Sequence, residues 1–126
     1  MVSEHKGYKD LTIWQRGIDL VRAVYALVAT IPETEKFALS SQIKRSAISY
    51  PSNIAEGFGR KSTGDYIRFL SIALDSAYEL DTQLIISKKL RLAPKDQILQ
   101  ALGLNEEICK MTNALITKLK RSKTNR

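Results

Sequence analysis

Arg45-Ser-Ala-Ile-Ser-Tyr-Pro-Ser-Asn-Ile-Ala-Glu-Gly-Phe-Gly-Arg60 is the run whose reading decides the fold. It has the spacing of a helix, yet it holds a proline, two glycines and charges of both signs. A proline inside a helix removes one backbone donor and clashes with the preceding turn, at a cost of about 3 kcal/mol. Ile43, Ala47, Tyr50, Ile54 and Phe58 nevertheless recur every three or four residues across Pro51. That continuity predicts one helix kinked at Pro51 rather than two unrelated pieces. Beside the apolar stripe lies a polar one, Arg45, Ser49, Asn53, Glu56 and Arg60, with the same rhythm. Gly57 and Gly59 stand where a helix C-terminus uses left-handed geometry.

Working outward, the rest of the chain is nearly free of helix breakers. Only three prolines and six glycines occur, and four of these nine fall between Pro51 and Gly64. A first helix is expected from about Asp10 to Ala29. It has two adjacent apolar seams: Trp14, Ile18, Val21, Tyr25 and Val28, then Gly17, Leu20, Val24, Leu27 and Ile31. So wide a face suits burial in a bundle and against a second subunit at once. Pro32 ends this helix, and Thr34 or Glu35 can start the second, expected over about 36–58. Ser62 and Asp65 have capping-box spacing and open a third helix reaching about Lys89. Tyr66, Leu70, Ala73, Ala77, Leu80 and Leu84 form its main seam; Ile67, Leu74, Tyr78 and Ile85 broaden it. Pro94 suits the first position of a fourth helix, expected to end near Leu119. Ile98, Leu102, Ile108, Met111, Leu115 and Leu119 carry its apolar side, and Gly103 marks a possible bend.

Four amphipathic segments joined by short connections describe an all-α, antiparallel, up-down-up-down four-helix bundle. The 126 residues fit a single domain, with an ordered core over about 8–120 and frayed termini. The 44% hydrophobic content is enough for a core and argues against general disorder. The longest apolar runs are short and interrupted by charge, so neither a membrane span nor a signal peptide is expected, and the cytoplasm is the expected compartment.

The net charge is +7, unevenly spread: +1 over residues 1–30, +2 over 31–61, zero over 62–92 and +4 over 93–126. A basic balance bears on partners such as nucleic acid, not on fold. Lys44, Arg45, Arg60, Lys61 and Arg68, with C-terminal Lys118, Lys120, Arg121 and Lys123, are the candidate phosphate contacts. Ordinary solubility charge is the alternative for each residue taken alone.

Catalysis finds little support. His5, in the N-terminal tail, is the only histidine, so no Ser-His-Asp or Cys-His set can form on the scaffold. Zinc, di-iron and other metal sites lack ligands, and Gly57-Phe-Gly59 lacks the rest of a phosphate loop. No cofactor is expected. Cys109 is the single cysteine, which excludes an intrachain disulfide and suits a small core residue. Glu56 and Glu79 could approach each other across helices two and three, but two such carboxylates more often join structural ion pairs. The polar stripe therefore reads as a network with Ser76, Glu79 and Gln83, and an exposed ligand-reading groove is the alternative.

The chain also resembles a known family. The residues that carry the likeness are Trp14 with Tyr25, Phe37-Ala-Leu-Ser-Ser-Gln-Ile-Lys-Arg45, Ser49-Tyr-Pro-Ser-Asn-Ile-Ala-Glu-Gly57 with Arg60, and Phe69-Leu-Ser-Ile-Ala-Leu-Asp-Ser-Ala-Tyr-Glu79. From about Tyr8 to Lys120 it is similar to the four-helix bundle proteins encoded in intervening sequences of bacterial 23S rRNA genes. These are related to the accessory variability protein of diversity-generating retroelements. The resemblance implies a left-handed antiparallel bundle that assembles into a homopentamer with a central channel. It also implies association with rRNA or other nucleic acid and, for the retroelement relative, with a reverse transcriptase. Pro51, Asn53, Glu56, Gly57 and Arg60 match the family motif, to which no catalytic role is attached; Tyr50 stands where isoleucine is more usual. The expectation is a non-enzymatic oligomeric bundle that associates with nucleic acid through basic surface, or else a protein–protein interaction scaffold.

Overall fold

The computed structural model describes residues 7–124. It contains four helices: α1 (Thr12–Val28), α2 (Leu39–Phe58), α3 (Thr63–Lys89) and α4 (Lys95–Thr124). Each helix packs on its neighbours in the cyclic order α1, α2, α3, α4, with no close backbone approach across a diagonal. Short connections make consecutive helices antiparallel, so this is an up-down-up-down four-helix bundle. Among the described residues no helix is long and apolar enough to cross a membrane.

The helix ends follow local chemistry. The Thr30 hydroxyl donates to the Leu27 carbonyl (2.7 Å) as α1 gives way to Pro32. Glu33–Glu35 form a 3-10 turn, and α2 starts at Leu39, later than expected, because Ala38 (φ −121, ψ −101) is not helical. Ser62 Oγ accepts the Asp65 N–H at 3.1 Å, so the predicted cap of α3 forms. The α3 C-terminus closes with Leu92 N–H on the Ser87 carbonyl (3.0 Å) and Arg91 N–H on Lys88 (3.1 Å). That is the Schellman pattern, and it places Arg91 at the left-handed position with φ 55. Helix α4 is continuous at Gly103 and extends more than a turn past its expected end. The Tyr8 ring packs edge-on against Trp14 at 5.3 Å. The expectations for residues 1–6 and 125–126 lie outside the described residues.

Two sequence expectations change. No described glycine takes positive φ; Gly59 is right-handed (φ −80), and Gly57 lies within α2. Gly57 is needed for space instead, since a Cβ there would fall 2.6 Å from Phe69 Cβ. Tyr78 and Ile85, expected to widen the buried face of α3, are exposed.

Helix α2 passes unbroken through Pro51, which is buried against α1. The core is Leu20, Val24 and Leu27 from α1, Ile43, Ala47, Tyr50 and Ile54 from α2, Leu70, Ala73, Ala77, Leu80 and Leu84 from α3, and Ile98, Ala101 and Ile108 from α4. Tyr50 crosses it completely. Gly17 makes room for its ring, because a Cβ there would lie 2.9 Å from Tyr50 Cδ2. At the far end the Tyr50 hydroxyl meets Thr112 Oγ1 at 2.7 Å, linking α2 to the diagonally opposite α4. The Thr112 hydroxyl donates to the Ile108 carbonyl (2.6 Å), which leaves Tyr50 as the donor of the pair. Burial pushes the Tyr50 phenol well above its ordinary range.

Candidate nucleic-acid interface

The polar stripe of α2 divides into three unlike parts. Its middle is a directed chain of hydrogen bonds into α3. The Asn53 amide donates to the Ser49 carbonyl (2.8 Å) and to Ser49 Oγ (3.0 Å). Ser49 Oγ meets Ser76 Oγ at 2.8 Å, and Ser76 in turn donates to the Ile72 carbonyl at 3.2 Å. Ser49 thus ties α2 to Ser76 of α3, while Asn53 bonds only within α2; of the expected partners Ser76, Glu79 and Gln83, only Ser76 is reached by a hydrogen bond from the stripe. Toward the N-terminus, Arg45, Glu79 and Gln83 line one small slot with Gln42, Ser46, Ser49 and Ser76. Toward the C-terminus, Glu56 does not reach α3. It pairs with Arg60, two residues past the end of its helix, at 2.6 Å, and both side chains are about half exposed. Glu79 faces the slot near Arg45, about 16 Å along α2 from the level of Glu56 at 1.5 Å per residue, so the two carboxylates form no pair.

The topology sorts the candidate basic residues into two groups. The C-terminal end of α2, the N-terminal end of α3 and the C-terminal end of α4 share one end of the bundle, and Lys123 Nζ approaches to 3.1 Å of the Cβ position of Gly64. Lys120 and Lys123 line a surface cavity there with Gly64 and Ile67. Arg60, Lys61, Arg68, Lys118, Lys120, Arg121 and Lys123 therefore share this end with Lys9, just before α1, and Asp10, Glu56 and Asp65 are the acidic residues there. Of these acids, Glu56 and Asp65 are the two nearest the α2–α3 connection. Both acids are turned to arginines: Glu56 to Arg60, and Asp65 to Arg68 at 3.9 Å. Both guanidinium carbons also lie 4.7 Å from the Phe69 ring centroid. A planar cation over a ring gains about 0.5–1 kcal/mol at an exposed site and loses freedom. The two arginines are thus held in place, and Lys61, Lys118, Lys120, Arg121 and Lys123 are exposed.

Lys44 and Arg45 do not join this group. They lie about 22 Å up α2 from Arg60, at 1.5 Å per residue. Lys44 sits over the Tyr25 ring of α1 (5.3 Å), and Arg45 lines the slot beside Glu79.

The α1 seam that begins at Trp14 is completed by residues of α2. Trp14, Ile18 and Val21 line an open groove with Ile48, Pro51 and Ala55 of α2, with Tyr8 at its edge. Ile48 is exposed and belongs to neither stripe of α2; with Pro51, it signals an outer apolar face. Cys109 is half buried and packs against the core. Burial, with Asp81 and Glu106 adding to it, pushes its thiol up to about 11. Among the described residues no three His, Cys, Asp or Glu side chains gather as a metal site requires.

Among curated proteins none matches this chain. One similar solved structure is the crystal structure of a protein of unknown function from the S23 ribosomal protein family of Bacteroides thetaiotaomicron. It is 25% identical, with a TM-score of 0.77 over 83% of this chain and 98% of that one. The sequence model described as "23S rRNA-intervening sequence protein" matches residues 9–114, which include all of α1, α2 and α3 and most of α4. The chain belongs to the 23S rRNA-intervening sequence protein family.

Proposed function

We propose that this protein is a non-enzymatic, self-assembling bundle that works in the cytoplasm and associates with structured RNA, rRNA among it, through the basic end formed by α2, α3 and α4. One observation carries the reading: eight basic residues, from the starts of α1 and α3, the α2–α3 connection and the end of α4, share one end with three acidic ones, of which Glu56 and Asp65 are turned to arginines. Backbone phosphates are the partners such a surface suits, and each neutralised phosphate releases counterions. No element is shaped to enter a groove and read bases, so the association rests on charge and on the fold of the RNA. The open apolar groove of α1 and α2 supports the assembly component. A second copy of the chain covers it, in the homopentamer that the family resemblance implies.

Binding of a structured rRNA fragment, measured by fluorescence anisotropy at several salt concentrations, tests this. The expected result is tight binding at low salt that falls by orders of magnitude at moderate salt. Absence of binding at low salt would overturn the nucleic-acid reading. Light scattering at micromolar concentration is expected to show an oligomer that Ile48→Glu dissociates; a monomer would remove the assembly component. The scaffold reading is favoured by Phe37, 91% exposed before α2. It predicts a protein partner lost on Phe37→Ala with RNA binding unchanged.

A further inference from the structure

The connection between α3 and α4 lies at the other end of the bundle and holds a surface cavity of ≈ 460 Å³. Lys88, Arg91 and Lys95 line it, with Ala93 and Ile98 as its apolar part. The three cations come from the last turn of α3, the connection itself and the first residue of α4. None has an acidic partner within 4.0 Å among the described residues. Asp96, next in sequence to Lys95, does not line the cavity. Three unpaired like charges around one hollow repel each other unless an anion lies between them.

The backbone supplies a second, independent observation. Arg91 is the one described non-glycine residue with positive φ, at 55. Its place in the Schellman turn is one that glycine fills without strain, because a Cβ is crowded there. The chain instead has arginine, the side chain whose fork of donors suits bidentate contact with phosphate oxygens. Residues held in sparsely populated backbone regions cluster at ligand clamps.

We propose that this cavity binds a terminal, multiply charged phosphate group, such as a nucleotide or the 5′ end of a nucleic-acid strand carries. An internal phosphodiester has a single negative charge, whereas three converging cations match a group with two or three. Arg91 supplies the bidentate contact, Lys88 and Lys95 supply point charges, and Ala93 backs the body attached to the phosphate, with the buried Ile98 as the floor beneath it. The site stands whether or not the basic end of the bundle binds RNA, because the two share no residue.

Titration calorimetry of the full chain with inorganic pyrophosphate at low salt tests the proposal. Saturable binding is expected, and Arg91→Gly is expected to weaken it at least tenfold while the melting temperature holds or rises. Lys95→Gln is expected to weaken it several-fold. Two further ligands distinguish the source. A strand-end site prefers a 5′-phosphorylated oligonucleotide to its 5′-hydroxyl counterpart, and Arg91→Gly removes the preference. A nucleotide site binds ADP and does not distinguish the strands. No saturable pyrophosphate binding, or binding that both variants leave unchanged, would overturn the proposal.

Discussion

The two ends of this bundle are built alike and charged differently. The end holding the α2–α3 connection gathers eight basic residues, Lys9 among them, against Asp10, Glu56 and Asp65. The end holding the other two connections carries Lys36, Lys88, Lys89, Arg91 and Lys95 against Glu33, Glu35 and Asp96. At the first end four helix termini bring the cations together, and α4 adds more than a turn of helix bearing Arg121 and Lys123 beyond Leu119. At the second end the cations of the α3–α4 connection surround one small cavity. Broad charge suits an extended backbone; confined charge suits a single compact anion.

The largest expected effect tests that difference. Neutralising Lys118, Lys120, Arg121 and Lys123 to Gln should weaken binding of a 5′-hydroxyl structured RNA by about a hundredfold or more at low salt, read by anisotropy. Neutralising Lys88, Lys89 and Lys95 should change the same affinity by less than about threefold. Equal losses from both variants would erase the distinction between the ends.

A second test addresses how the basic end is held together. Gly57→Ala brings a Cβ against Phe69, where backbone and ring must move, and should cost about 2 kcal/mol in urea unfolding. Gly103→Ala is the control: nothing lies within 4 Å, and it should stabilise α4 by about 0.5–1 kcal/mol.

The middle of the bundle, shared by both ends, gives a smaller effect. Tyr50→Phe removes the bond to Thr112 and should cost about 1 kcal/mol at neutral pH. Its sign with pH follows from burial, which holds the folded-state phenol above its ordinary value of 10.0. The stabilisation from Tyr50 is complete below about pH 10 and is lost as pH climbs above it. The variant should therefore lose less stability than the parent between pH 9 and 11. The smallest effect belongs to Glu56→Ala. Its partner Arg60 lies just past the end of the same helix and both are about half exposed, so the change should stay within about 0.5 kcal/mol. A loss above 2 kcal/mol would show that Glu56 is buried against a neighbour in the assembled protein.

Much of this was legible in the residues, and the misses have physical causes. Apolar spacing across Pro51 and the Ser62–Asp65 cap placed α2 and α3 well. Helix α4 was read off its face. Its inner row is Ile98, Ala101, Asn105, Ile108, Thr112 and Ile116, and two of these six are polar. Hydropathy passes over them because their partners come from other elements: Tyr50 for Thr112, and the Ala77 carbonyl, 2.8 Å from the Asn105 amide, for Asn105. The reason for Gly57 was likewise invisible, since steric need depends on Phe69 from another helix and not on local φ. The stripe on α2 was correctly seen as polar, yet its members divide by level along the helix, and periodicity carries no information about depth. Lys44 and Arg45 were grouped with the C-terminal cations by charge alone; about 22 Å of helix separates them.

The account rests on one claim, that the α2–α3 end is the RNA-binding surface. Its most direct test is the slope of log affinity against log salt for a 5′-hydroxyl structured RNA. The slope should be steep for the parent and shallower by about one unit for each of Lys118, Lys120, Arg121 and Lys123 changed to Gln. A slope that these four substitutions leave unchanged would contradict the claim.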